Sequence, residues 1–188
     1  MEYEKTLFMN DNSESDYGKE ALLDYQLSWL LRLSAYGDLE NKKLKEISRK
    51  VMLKFLGYNY EENIEIKDVK VWKQWNRIDL IAEVIVLIGD IEEKYVVVIE
   101  DKAYTKLHGD QLQNYKNIVE NYYEPNWHRR YFVVTFYNKD DNYKDWIGLS
   151  QQCKVEGWKL LSFYDVIDNY NEPTGSDLFD EFWIKTWY

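Results

Sequence analysis

Ile78-Asp-Leu-Ile-Ala-Glu-Val-Ile-Val-Leu-Ile88 and Tyr95-Val-Val-Val-Ile-Glu-Asp-Lys102 are the most apolar runs of the chain. Both are rich in β-branched residues, which suit the pleated surface of a sheet. Residues 78–88 and 95–99 are therefore read as strands. Between them stand Gly89-Asp90 and a charged Ile-Glu-Glu-Lys. Glycine adopts positive φ at little cost, so Gly-Asp suits a two-residue hairpin turn. With that turn Ile88 faces Ile91 and, counting outward, Asp79 faces Glu100. Directly opposed residues share a face, with Cβ atoms ~5 Å apart. Alternation then puts Lys102 on the Glu100 face and Asp101 on the other. Asp79, Glu100 and Lys102 are expected to converge. A slip of one residue would turn Asp79 to the opposite face.

Two carboxylates held that close repel, and burial penalises both charges. A hard divalent cation resolves the conflict, because Mg²⁺ prefers carboxylate oxygen and keeps several waters. Such a cation lowers the pKa of a coordinated water and offsets charge on phosphate oxygens. A neighbouring lysine can position the water or stabilise the transition state. The same residues also allow a plainer reading, a strand end on which Lys102 pairs with Glu100 or Asp101.

Asp79, the Glu100-Asp-Lys102 string and a following Gln111-x-x-x-Tyr115 together resemble the PD-(D/E)XK nuclease superfamily. The Gln-x-x-x-Tyr element is typical of its exonuclease-like branch. Val71 to Leu80 looks like the strand leading to the first metal acid, and Glu20 to Leu31 is similar to the first helix of one bacterial family in the superfamily. The resemblance spans about residues 18–137. It implies an α/β fold with a restriction-endonuclease-like core, a central mixed sheet flanked by helices in the order αβββαβ. It further implies Mg²⁺ or Mn²⁺ held by Asp79, Glu100 and Glu20, with Lys102 as the catalytic lysine. Gln111 and Tyr115 would orient the site. The chain departs from the superfamily name at Ile78, where proline is expected.

Composition sets outer bounds. With 188 residues, 45% of them hydrophobic and 17% aromatic, the chain can bury a real core. Residues 1–17 read as a polar leader and 18–188 as a single domain. The longest apolar runs fall short of the ~18 residues of a membrane span, and Met-Glu-Tyr-Glu-Lys lacks the shape of a signal peptide. A cytoplasmic protein is expected. Cys153 stands alone, which excludes an internal disulfide, and two histidines argue against a His-based zinc site. Net charge is −10, which counts against extensive nonspecific duplex binding. A local basic rim could reverse the sign at the site, and Lys73, Arg77, Lys106, His108, Arg129 and Arg130 are its candidates.

The remaining pattern predicts a helix over 18–35, capped by Ser15 or Asp16 and stopped at Gly37. A second helix follows over 39–56, with a basic outer face and Gly57 as its stop. A strand is expected over 64–72, a helix over 111–123 capped by Asp110, and a parallel strand over 130–137. Gln111, Tyr115, Ile118 and Tyr122 should share one helix face. Residues 144–157 carry no clear pattern beyond a short helix near Asp145-Trp146. A short strand at 158–162 leads into a helix over 163–170 with a Ser162/Asp165 capping box. The last segment, 176–187, presents Leu178, Phe179, Phe182 and Trp183. Packed inward these belong to the core; exposed, they would mark an oligomer or partner contact.

Two functions are compatible with these residues. One is a metal-dependent nuclease acting on a nucleic acid, DNA before RNA. The other is a catalytically silent module on the same fold, binding proteins or mimicking nucleic acid with its acidic surface.

Overall fold

A computed structural model describes residues 19–37, 39–102, 107, 109–137, 139–140 and 142–185, apart from the side chains of Lys19, Glu20 and Tyr143. The expected leader, its helix caps Ser15 and Asp16, and the rim candidates Lys106 and His108 lie outside the described residues. Two helices come first, α1 (Lys19–Leu33) and α2 (Lys42–Leu56). Three strands follow: β1 (Ile64–Trp75), β2 (Ile78–Ile88) and β3 (Ile91–Lys102). Then come α3 (Gln111–Tyr122), β4 (Trp127–Thr135), α4 (Tyr143–Glu156) and β5 (Lys159–Ser162). The chain closes with the short α5 (Phe163–Val166) and α6 (Asp177–Phe179), the latter running into a π-helical turn over Asp180–Lys185.

Among the described residues five strands form one sheet in the order β1-β2-β3-β4-β5. β1, β2 and β3 are antiparallel, while β4 and β5 run parallel to β3. This is a mixed sheet in an α/β fold, consistent with a restriction-endonuclease-like core. Two apolar clusters cover its faces. The larger joins α1, α2 and the C-terminal helices to Leu80, Ala82, Val84, Val97 and Ile99. The smaller joins α3 and Cys153 of α4 to Ile81, Val96, Val98 and Val133.

The β2–β3 turn is the expected one. Ile88 pairs with Ile91 and Leu80 with Ile99, and Gly89 has φ +61°, the position a type II′ turn gives to glycine. β3 is longer than its apolar run, because residues 91–94 stay paired with β2. The stretch 71–80, by contrast, is not one strand. Trp75 pairs with Ile78 across a second two-residue turn, whose Asn76 and Arg77 have φ +51° and +70°. Both being left-handed is the signature of a type I′ turn. Asn tolerates that region and arginine does not signal it, which is why the reversal is hard to read from the residues.

Other differences are smaller. Residues 143–156 are a full helix, ended by Gly157 at φ +71°. Asp110 stands at the N-cap of α3 without a side-chain capping bond. Tyr122 leaves the buried face of α3 and is 64% exposed, its ring meeting Trp75 edge-on at 4.9 Å. The Ser162/Asp165 capping box forms, but the helix behind it ends at Val166. In the last segment Phe179, Phe182 and Trp183 are buried, and Trp183 stacks on Phe163 at 4.5 Å. The aromatic stripe therefore belongs to the core, with only Leu178 largely exposed. No helix among the described residues is long and apolar enough to cross a membrane.

Candidate active site

The site forms at the end of β3, where Glu100, Asp101 and Lys102 extend the apolar run and are all buried. β3 is central, flanked by β2 and β4, so its edges are paired, and the two apolar clusters cover its faces. Glu100 and Lys102 point to the α3 side. Lys102 Nζ lies 2.5 Å from Glu100 Oε1. Gln111 Nε2 donates to the same oxygen at 2.6 Å and also to Tyr115 Oη at 2.9 Å. Tyr115 donates to the Arg77 carbonyl at 2.6 Å. The four-residue spacing of Gln111 and Tyr115 is what aligns them on one side of α3. That helix is thereby tied both to Glu100 and to the β1–β2 turn.

Asp79 follows a less regular path. Strict alternation would place Ile78 and Leu80 on one face. Instead Ile78 joins Ile81 in the α3-side cluster, while Leu80 belongs to the α1 side. The pleat breaks at Asp79, next to the tight turn. Its Oδ1 accepts from Gln74 Nε2 at 3.0 Å and its Oδ2 from the Asp101 backbone N–H at 3.1 Å. Asp79 remains close enough to Glu100 to destabilise its charge. Burial first, then the Asp79 carboxylate, push the Glu100 carboxyl up to about 8, with Lys102 opposing the rise. Burial also raises Tyr115.

Two acids not singled out in the sequence complete the arrangement. Asp24 of α1 and Asp101 of β3 each offer a carboxylate oxygen to a group with Asp79, all within 4.8 Å of one another. Asp24 had a signal: it falls on the core stripe of its helix, beside Leu23 and Leu27, yet is charged and only 6% exposed. A charge on a buried stripe needs a partner. Asp101 had none beyond its place in a buried strand. Glu20 lies one helical turn before Asp24 in α1, and its side chain is outside the described residues. Of the rim candidates, Lys73 and Arg77 belong to the β1–β2 hairpin near Asp79. Arg129 and Arg130 do not belong to the rim. They pair with Val96 and Val97 at the middle of β3, and are engaged by the carbonyls of Tyr123, Trp127 and Leu56.

Over residues 7–182 the chain matches the PD-(D/E)XK nuclease superfamily. The chain belongs to that superfamily. No curated protein and no solved structure matches it.

PD-(D/E)XK nucleases generally use divalent metals, and the residues here suit one. The acids gathered here offer carboxylate oxygens, the ligands hard cations prefer. Glu100 is 1% exposed, and its Oε2 has no hydrogen-bond partner among the described residues. A buried carboxylate oxygen left without a donor is costly. A cation beside Glu100 and Asp79 would supply the missing positive charge, while Asp24 and Asp101 offer their carboxylates to Asp79 separately from Glu100.

Proposed function

We propose that the protein is a Mg²⁺- or Mn²⁺-dependent nuclease that hydrolyses phosphodiester bonds in nucleic acid, with DNA as the first substrate to test. The observation that carries this reading is the buried pairing of Glu100 with Lys102, Gln111 and a repelling Asp79. A structural ion pair has no need of a second carboxylate that raises its pKa. A metal-hydrolysis site does, because perturbed acids gather where charge is to be held.

In this reading Asp79 and Glu100 hold the cation, and Glu20 assists from α1. Asp24 and Asp101 take part through carboxylate oxygens that lie within 4.8 Å of one from Asp79. The cation, when bound, supplies an acidified water and a counter-charge for the phosphate oxygens. Lys102, held against Glu100, orients the attacking water and offsets charge that develops on the phosphoryl group. Gln111 fixes the rotamer of Glu100, and Tyr115 fixes Gln111, so both act by positioning.

The test combines metal uptake with turnover. Calorimetry should show saturable Mn²⁺ binding, lost in Asp79→Ala and Glu100→Ala. Cleavage of labelled DNA should require Mg²⁺ or Mn²⁺ and vanish in Lys102→Ala. Wild-type cleavage by all three variants would overturn the assignment. Absence of Mn²⁺ uptake at millimolar concentration would leave the silent binding module as the better account.

A further inference from the structure

Tyr25 is a large aromatic residue on the open side of α1, in line with the exposed Ala21 and Arg32. Its neighbours Asp24 and Gln26 are 6% and 3% exposed, whereas Tyr25 is 62% exposed. It follows directly on a member of the carboxylate group, Asp24. The ammonium of Lys73 sits over its ring. Lys73 in turn precedes Gln74, whose amide holds Asp79. An open aromatic ring and a lysine thus stand together, each one residue from a group that builds the site.

From this juxtaposition we infer that Tyr25 and Lys73 form a substrate-positioning shelf, and that the substrate is a single strand or a frayed end. The inference rests on the nuclease reading above. An aromatic ring binds nucleic acid by stacking on a base face, which a paired and stacked duplex does not offer. A cation over the ring strengthens the shelf and lies where it can meet the adjoining phosphate. The charge of the chain points the same way. At net −10 a duplex footprint, which draws its affinity from many neutralised phosphates, is disfavoured. Stacking with one or two phosphate contacts is not.

The experiment uses the full-length protein and three labelled DNA ligands of equal length: a single strand, its duplex, and a strand of abasic residues. Binding is read by fluorescence anisotropy with Ca²⁺ in place of Mg²⁺, and cleavage is read with Mg²⁺. The single strand should bind roughly ten-fold tighter than the duplex or the abasic strand. Its affinity should vary with salt with a slope of about one or two. Tyr25→Leu should erase most of the preference for the base-bearing strand over the abasic one, and Tyr25→Phe should restore it. Lys73→Gln should lower the salt slope by about one. Equal binding of duplex and single strand, or an intact preference in Tyr25→Leu, overturns the shelf even if cleavage is robust. Binding without cleavage by the wild-type protein sinks the nuclease reading instead, and binding of none of the ligands sinks both.

Discussion

The Asp79 carboxylate accepts a hydrogen bond from the backbone N–H of Asp101 at 3.1 Å. That single bond ties the first strand acid to the next strand at the position between Glu100 and Lys102. It also explains why Asp79 can influence groups on both sides of the sheet. It reaches Asp24 and Asp101 through shared carboxylate geometry and Glu100 through repulsion.

Removing the Asp79 charge should therefore separate stability from function. Asp79→Asn keeps an oxygen for the Asp101 amide and relieves Glu100 of its repelling neighbour. Its metal-free Tm should equal or exceed that of the wild type. The Mn²⁺-induced rise in Tm should disappear, because ligand stabilisation requires binding to the native state, and cleavage should fall by at least about 100-fold. Thermal melts with and without Mn²⁺ check this; a strongly lowered metal-free Tm would show that Asp79 is chiefly a structural residue.

The raised Glu100 carboxyl makes metal-free stability depend on pH. Its folded value of about 8 lies above the ordinary 4.5, so the folded protein keeps a proton that the unfolded chain releases in that window. The stabilisation is fully present below about 4.5 and is lost as pH rises through about 8. Urea titrations in EDTA across this range should show stability falling, and Glu100→Gln should flatten the curve. A metal that displaces the proton should bind more tightly at higher pH.

The Tyr115 hydroxyl spans from α3 to the β1–β2 turn at Arg77. Tyr115→Phe removes that bond and leaves the turn carbonyl without its donor, which should cost about 1–2 kcal/mol in urea unfolding. Turnover should fall as well, because Gln111 loses the oxygen that fixes it against Glu100. Unchanged turnover would remove Tyr115 from the positioning role.

Arg77 occupies φ +70° in that same turn, and its side chain is exposed. Arg77→Gly converts the turn to Asn-Gly, the pair that type I′ geometry prefers. It should raise stability by about 0.5–1 kcal/mol, measured by chemical denaturation. A loss of stability would show that the arginine side chain contributes more than its backbone strain costs.

The β2–β3 hairpin was legible because two strong local signals agree. Gly89-Asp90 marks the turn, and β-branched runs flank it, so the pairing of Leu80 with Ile99 follows by counting. The Gln111 and Tyr115 alignment was legible for a similar reason, since helix periodicity alone places them together. The reversal at Asn76-Arg77 was not, because its residues adopt left-handed backbone only under the pull of the strands around them. The helix over 143–156 is legible only as a short one near Asp145-Trp146, because polar residues interrupt its apolar stripe, and packing of Cys153 against the sheet supplies what periodicity does not.

The local sequence thus determined that β2 pairs with β3, in what register, and that Gln111 and Tyr115 share one side of their helix. Those follow from short-range geometry, a period of two in strands and 3.6 in helices. Only the tertiary structure decided where the Asp79 carboxylate points, because a break in the pleat is set by neighbouring strands and not by the residue itself. Only it brought Asp24, distant in the chain, against Asp79 and Asp101, and only it turned Arg129 and Arg130 away from the site, pairing them with the middle of β3 and bonding them to local carbonyls. Packing of α1 over the end of the sheet is a long-range event, and no local periodicity carries it.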